Sequence, residues 1–152
     1  MSGTSGAYAP PPVYGETTTA GTASLQTVAS NTWVATGVEV TLPQAGTYAV
    51  SADLYSDING TTPWAVAVNA RLFDVTAATP VAGTTRRIQY DNVNDGGGSV
   101  LEFQNAGALH ANVTVTAPTT IRLEGQRQHV GFNDSTLSAL ACERLAFTKI
   151  SD

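Results

Sequence analysis

A chain of 152 residues is long enough for one domain and too short for two of ordinary size, and at that length roughly 70% of the unfolded surface is buried on folding, so a core forms without staples. Charged residues are 12% of the sequence, against roughly 25% in an ordinary soluble domain. Lys149 is the only lysine, the formal net charge is -5, and Arg86-Arg87 is the only adjacent basic pair, which excludes a nucleic-acid partner because neutralising phosphates takes clustered Lys and Arg. No apolar run reaches the roughly 18 residues of a membrane span, and residues 1–26 lack the charged start and apolar block of a secretory signal, so neither a membrane nor an export route is expected. The single Cys142 cannot make an intramolecular disulfide, which suits folding in a reducing cytoplasm, and it reads as a small buried hydrophobe. Charge depletion fits a surface partly covered by neighbours, and a plain β-rich bias gives the same composition.

In chain order, residues 1–23 carry no periodic apolar pattern, and Pro10-Pro11-Pro12 favours an extended segment with no internal hydrogen bonds. This stretch is expected to be an arm, followed by a folded domain over 24–152. Tyr8 and Tyr14 flank the prolines, so Tyr8, Pro10, Pro11, Pro12 and Tyr14 form a candidate partner-binding arm whose rings fill pockets on a neighbour. A tail or linker without a partner is the competing reading.

From Leu25 onward, period-two alternation recurs between turn signals and no long stretch has helical spacing. Trp33–Leu42 is a strand with Val38, Val40 and Leu42 on one face, and Pro43-Gln44-Ala45-Gly46 turns the chain. Thr47–Ile58 follows with Tyr48, Val50, Ala52 and Leu54 together, ended by the turn dipeptide Asn59-Gly60. Trp64–Val75 and Thr84–Tyr90 alternate again, and 91–98 is expected to be a loop. Val100–Phe103 is a short strand. Leu109, Ala111, Val113 and Val115 share a face of the next, Ile121 and Leu123 face inward from another, and Leu140–Ile150 closes the chain. About eight to ten strands with short turns and no intervening helices indicate an all-β fold, an antiparallel sandwich or jelly roll.

The run Trp33-Val34-Ala35-Thr36-Gly37-Val38-Glu39-Val40-Thr41-Leu42-Pro43-Gln44-Ala45-Gly46-Thr47-Tyr48-Ala49-Val50-Ser51-Ala52 is a strand, a Leu-Pro-x-x-Gly-x-Tyr corner and a second strand. It resembles the jelly rolls of the tumour-necrosis-factor and complement-like superfamily, as used in virion proteins of tailed bacteriophages. Leu145–Ile150 is similar to that fold's last, central strand, and Thr120–Glu124 to its penultimate one. The resemblance implies a homotrimer whose axis is lined by the sheet face opposite the core. By strand parity that face carries Asp53 and Tyr55, with His110, Asn112 and Phe147 as further candidates. It also implies a structural virion protein, a trimeric capsid decoration protein bound to the major capsid protein on the outer shell surface. A receptor- or carbohydrate-binding head of a tail fibre or spike is the alternative, with exposed aromatics such as Trp64 or Phe132 around a groove.

Catalytic patterns are absent from the sequence. His110 and His129 have no Cys, Asp or Glu at metal-ligand spacing, and no G-x-S-x-G elbow occurs, so neither an enzyme nor a cofactor is expected. Asp91, Asp95, Gly96 and Glu102 fall at the first, fifth, sixth and twelfth positions of a calcium-loop spacing, but Val93 stands where an oxygen ligand belongs. An ordinary Gly-rich loop is the expectation there.

Overall fold

The structure, a computed structural model, describes residues 11–26 and 28–152; Tyr8 and Pro10 of the arm lie outside the described residues. Among the described residues the backbone forms ten strands: β1 (Tyr14–Thr17), β2 (Gly21–Ser24), β3 (Trp33–Leu42), β4 (Gly46–Thr61), β5 (Trp64–Asp74), β6 (Thr79–Pro80), β7 (Arg86–Val93), β8 (Val100–Val115), β9 (Thr119–Phe132) and β10 (Leu137–Ser151), the first two inside the stretch expected to be an arm. All pair antiparallel in two sheets. Sheet A runs β2-β10-β4-β8, with β1 beside β2 along the same strand; sheet B runs β3-β9-β5-β7, with β6 also on β5. This interleaving, in which the chain crosses between the sheets at every step from β2 to β10 except along β5–β7, is the eight-stranded jelly roll plus two short additions, β1 and β6.

The core lies between the sheets. Tyr48, Val50, Ala52 and Leu54 from sheet A meet Val38, Val40, Leu42, Ile121 and Leu123 from sheet B, all buried. The Pro-x-x-Gly-x-Tyr corner has a local cause. The Tyr48 hydroxyl donates to the Gln44 carbonyl at 2.8 Å, so a buried ring pins the turn from below. Gly46 has φ +145, and a Cβ there would lie 2.7 Å from the Ser151 carbonyl oxygen. Cys142 is buried, and burial pushes its thiol up to about 11.

Several boundaries differ from the alternation. Asn59-Gly60 does not turn the chain: β4 continues to Thr61 because Asn59 and Gly60 pair with Glu102 and Leu101 of β8, and the turn falls at Thr62-Pro63. β7 runs on to Val93, held by pairing with Trp64–Val66, which shortens the expected 91–98 loop. The stretches at 100–103 and 109–115 are one strand, β8, in register with β4 throughout. β1 and most of β2 come from residues 1–23 and are laid on β10, Tyr14 opposite Thr148 and Ala23 opposite Leu140.

Phe147 is a correction. Strand parity placed it on the outer face, yet it is 7% exposed and packs edge-on against Tyr48, ring centroids 5.6 Å apart. A bulge between Cys142 and Arg144 reverses the alternation, so Ser138, Leu140 and Cys142 point inward before it and Leu145 and Phe147 after it.

Candidate interaction surfaces

The outer face of sheet A is assembled row by row from β1, β2, β10, β4 and β8. Register sets Tyr14, Thr148, Ala49 and Asn112 in one row, then Glu16, Ala146, Ser51 and His110, and two rows further Thr22, Ala141, Tyr55 and Ala106. Between these lie Arg144, Asp53 and Ala108. Asp53, Tyr55, His110 and Asn112 therefore share one face, as parity placed them, while Phe147 faces the opposite way. Alanine dominates around Tyr55, leaving a flat surface on which another protein surface can approach closely.

Charge on this face is mostly negative. Arg144 bridges Glu16 at 2.6 Å and Asp53 at 3.9 Å. At the β4–β5 end, Asp57 has one carboxylate oxygen buried without a partner. Its carboxyl is pushed up to about 6, first by burial and then by the hydrogen bond and like charge of neighbouring Glu102.

The outer face of sheet B carries a cluster that no local sequence pattern announced. Glu124 is 3% exposed and accepts from Arg71 at 2.8 Å and from Arg122 at 2.7 Å. The Arg71 guanidinium lies 4.3 Å from the Trp33 ring centroid, and that of Arg122 lies 4.6 Å from Phe73. Beside them Asn69 donates to Gln126 at 2.8 Å and Arg87 donates to Gln128 at 3.1 Å. Arg71 and Glu124 are 53 residues apart, so only strand register brings them together.

The residues with calcium-loop spacing do not converge. Asp91 accepts from Gln89, Asp95 accepts from the Thr62 hydroxyl at 2.6 Å and the Gly97 amide at 3.1 Å, and Glu102 lies on the outer face of sheet A. Those donors hold the Asp95 carboxyl below its usual range. His110 is on sheet A, whereas His129 of β9 meets the Phe132 carbonyl at 3.0 Å. Among the described residues no three His, Cys, Asp or Glu gather into a metal-binding group.

Trp64 corrects the alternative reading of exposed aromatics. It is fully buried, and its indole N–H donates to the Gly60 carbonyl at 3.3 Å. Phe132 is 53% exposed. On the arm, Tyr14 is 71% exposed, and Pro11 and Pro12 line a recess of about 290 Å³ with Gln44, Lys149 and Ile150.

No protein-family profile matches the sequence, and no curated protein matches it. Solved structures of infectious bursal disease virus are similar in fold. The Gt strain structure has a TM-score of 0.54 at 17% identity, covering 91% of this chain and 33% of that one. The Gx strain structure has a TM-score of 0.56 at 17% identity, with 92% and 32% covered. The crystal structure of the VP2 subviral particle of the same virus has a TM-score of 0.53 at 16% identity, with 91% and 32% covered. This chain thus spans about a third of the length of the chains it matches. At such identities the likeness is one of fold.

Proposed function

We propose that this chain is a structural component of a virus particle: a trimeric capsid decoration protein that binds the major capsid protein on the outer surface of a phage shell. The observation that carries the reading is the outer face of sheet A, where Ala106, Ala108, Ala139 and Ala141 surround Tyr55. Small side chains let sheets from neighbouring copies approach closely, and an aromatic at the centre supplies buried area at low entropic cost. The fold likeness to chains of virus particles supports the structural role, and the resemblance to phage jelly rolls supports the three-fold form. In this reading Asp53, Tyr55, His110 and Asn112 line the trimer axis, and Tyr8, Pro10, Pro11, Pro12 and Tyr14 reach toward the capsid. Such a protein works by burying surface, with no cofactor or reaction required.

Ala141→Arg places a charge in the row of Tyr55 and tests the face directly. Sedimentation should show the wild type as a trimer and the variant as a folded monomer whose melting temperature no longer rises with protein concentration. Trimers in both would move the interface elsewhere. The second reading, a receptor-binding head of a tail fibre or spike, is favoured by one feature, the outward ring of Phe132.

A further inference from the structure

We infer that the β4–β5 end of the sandwich is a docking surface for a partner protein that presents apolar side chains set among lysines and arginines. The inference goes beyond the assembly reading and does not depend on it, since it uses the loop end of the sandwich with the sheet A residues that adjoin it, and neither Tyr55 with its alanines nor the arm.

Four large apolar side chains gather around the segment Asn59–Trp64. Leu137 is opposite Asn59, Val100 opposite Thr61 and Phe132 opposite Trp64, while the Phe103 ring stands edge-on to Trp64 at 5.9 Å. Val100 is 73% exposed, Phe132 53% and Leu137 51%. Single exposed hydrophobics are ordinary, but a group of them marks an interaction site.

Backbone conformation adds an independent sign. Phe132 has φ 63, a left-handed conformation that Gly or Asn adopts readily and a large aromatic does not. Folding leaves half of this ring in solvent, so core packing does not account for it. Strain retained for an outward ring is the pattern of a binding residue.

The surface is also held rigid before any partner arrives. Thr62 ties the β4–β5 turn to the β7–β8 loop: its hydroxyl bonds Asp95, its amide donates to the Ser99 carbonyl at 2.8 Å, and its carbonyl accepts from Gly98 at 3.0 Å. Asn133 ties the β9–β10 loop to the same turn, donating to the Pro63 carbonyl at 3.1 Å and the Thr61 carbonyl at 3.3 Å. Preorganisation of this kind lowers the entropic cost of binding.

Charge selects the occupant. Asp57, Asp95 and Glu102 adjoin this end, and among the described residues Arg127 there is buried and ion-paired with Asp134. A second copy docking end to end would set acid against acid. A partner with a basic rim around apolar residues is complementary in both respects.

The test uses the full chain and two synthetic probes, the peptides Lys-Phe-Lys-Leu-Lys and Glu-Phe-Glu-Leu-Glu with blocked termini, followed by amide resonance shifts. The lysine peptide should shift residues of 59–64, 94–103 and 132–137, bind at least about tenfold tighter than the glutamate peptide, and weaken as salt rises. Phe132→Asn should reduce that binding by about tenfold or more while melting no lower than the wild type, because Asn accepts the left-handed backbone. If that variant does not fold, Leu137→Ser carries the same comparison. The inference is overturned by equal binding of the two peptides, by shifts centred elsewhere, by binding unchanged in the folded variant, or by self-association that Phe132→Asn abolishes.

Discussion

Asp57 shows how one side chain couples the sheet A surface to pH. Its folded pKa of about 6 is above the ordinary carboxyl value, so the native state binds a proton more tightly than the unfolded chain does. The sign follows: its contribution is most favourable below about pH 4 and is lost as pH rises through about 6. Partial exposure screens the effect, leaving on the order of 1 kcal/mol. Urea unfolding from pH 4 to 7 should therefore show a falling component that Asp57→Asn removes, and the variant should be the more stable protein at pH 7. Identical pH profiles would show that neither burial nor Glu102 holds its carboxyl up. Glu124 is the opposite case, a buried carboxylate with two cations to satisfy it. Glu124→Gln leaves Arg71 and Arg122 without their counter-charge and should cost about 1–3 kcal/mol in the same measurement, less than a fully buried pair because both arginines reach solvent. These partners are invisible in sequence because the strands that bring them together are far apart in the chain.

At the scale of elements, β2 closes the sandwich tightly against β3. A Cβ on Gly21 would lie 2.2 Å from the Thr36 carbonyl oxygen, and backbone cannot step aside as a flexible side chain can. Gly21→Ala is expected to destabilise by about 1–3 kcal/mol, whereas Ser24→Ala, exposed on the same strand, should stay within about 0.5 kcal/mol. Denaturant midpoints of the two variants check this, and equal midpoints would mean that β2 is not seated as described. The legibility of each element follows from where its information resides. β3 begins and ends at the residues that alternation and its flanking turn mark, because one face is buried and the period is unbroken. β4 overruns Asn59-Gly60 because sixteen paired residues on β8 outweigh a local turn preference. β8 reads as two pieces because Gly107, which faces inward between them, leaves room for Ile88 instead of supplying an apolar side chain of its own. Phe147 was misplaced by a single bulged residue, which no single sequence marks. Of the interaction surfaces, the parity that put Asp53, Tyr55, His110 and Asn112 together was readable, while the alanine-lined character of their face required the order of the strands.

For the whole molecule, the jelly roll separates its surfaces by direction. Pro11 and Pro12 lie at the C-terminal end of β10, sharing a recess with Lys149 and Asp152. The rigid apolar loops lie at the other end, and the alanine-rich face of sheet A runs between. A protein so arranged can associate with its own copies along one face while each end remains available to a different neighbour. The arm as described from residue 11 is already part of the fold through β1 and β2, so an informative truncation stops at residue 10; removing all of 1–23 would strip two strands and the buried Ala23 from the sheet. The most direct measurement is the solution mass of the full-length protein and of the chain lacking residues 1–10, by light scattering over a range of concentrations. Three times the chain mass of 15.7 kDa for the full chain, and a trimer again for the shortened one, is the expected result. A monomer at every concentration in both would contradict assembly through sheet A.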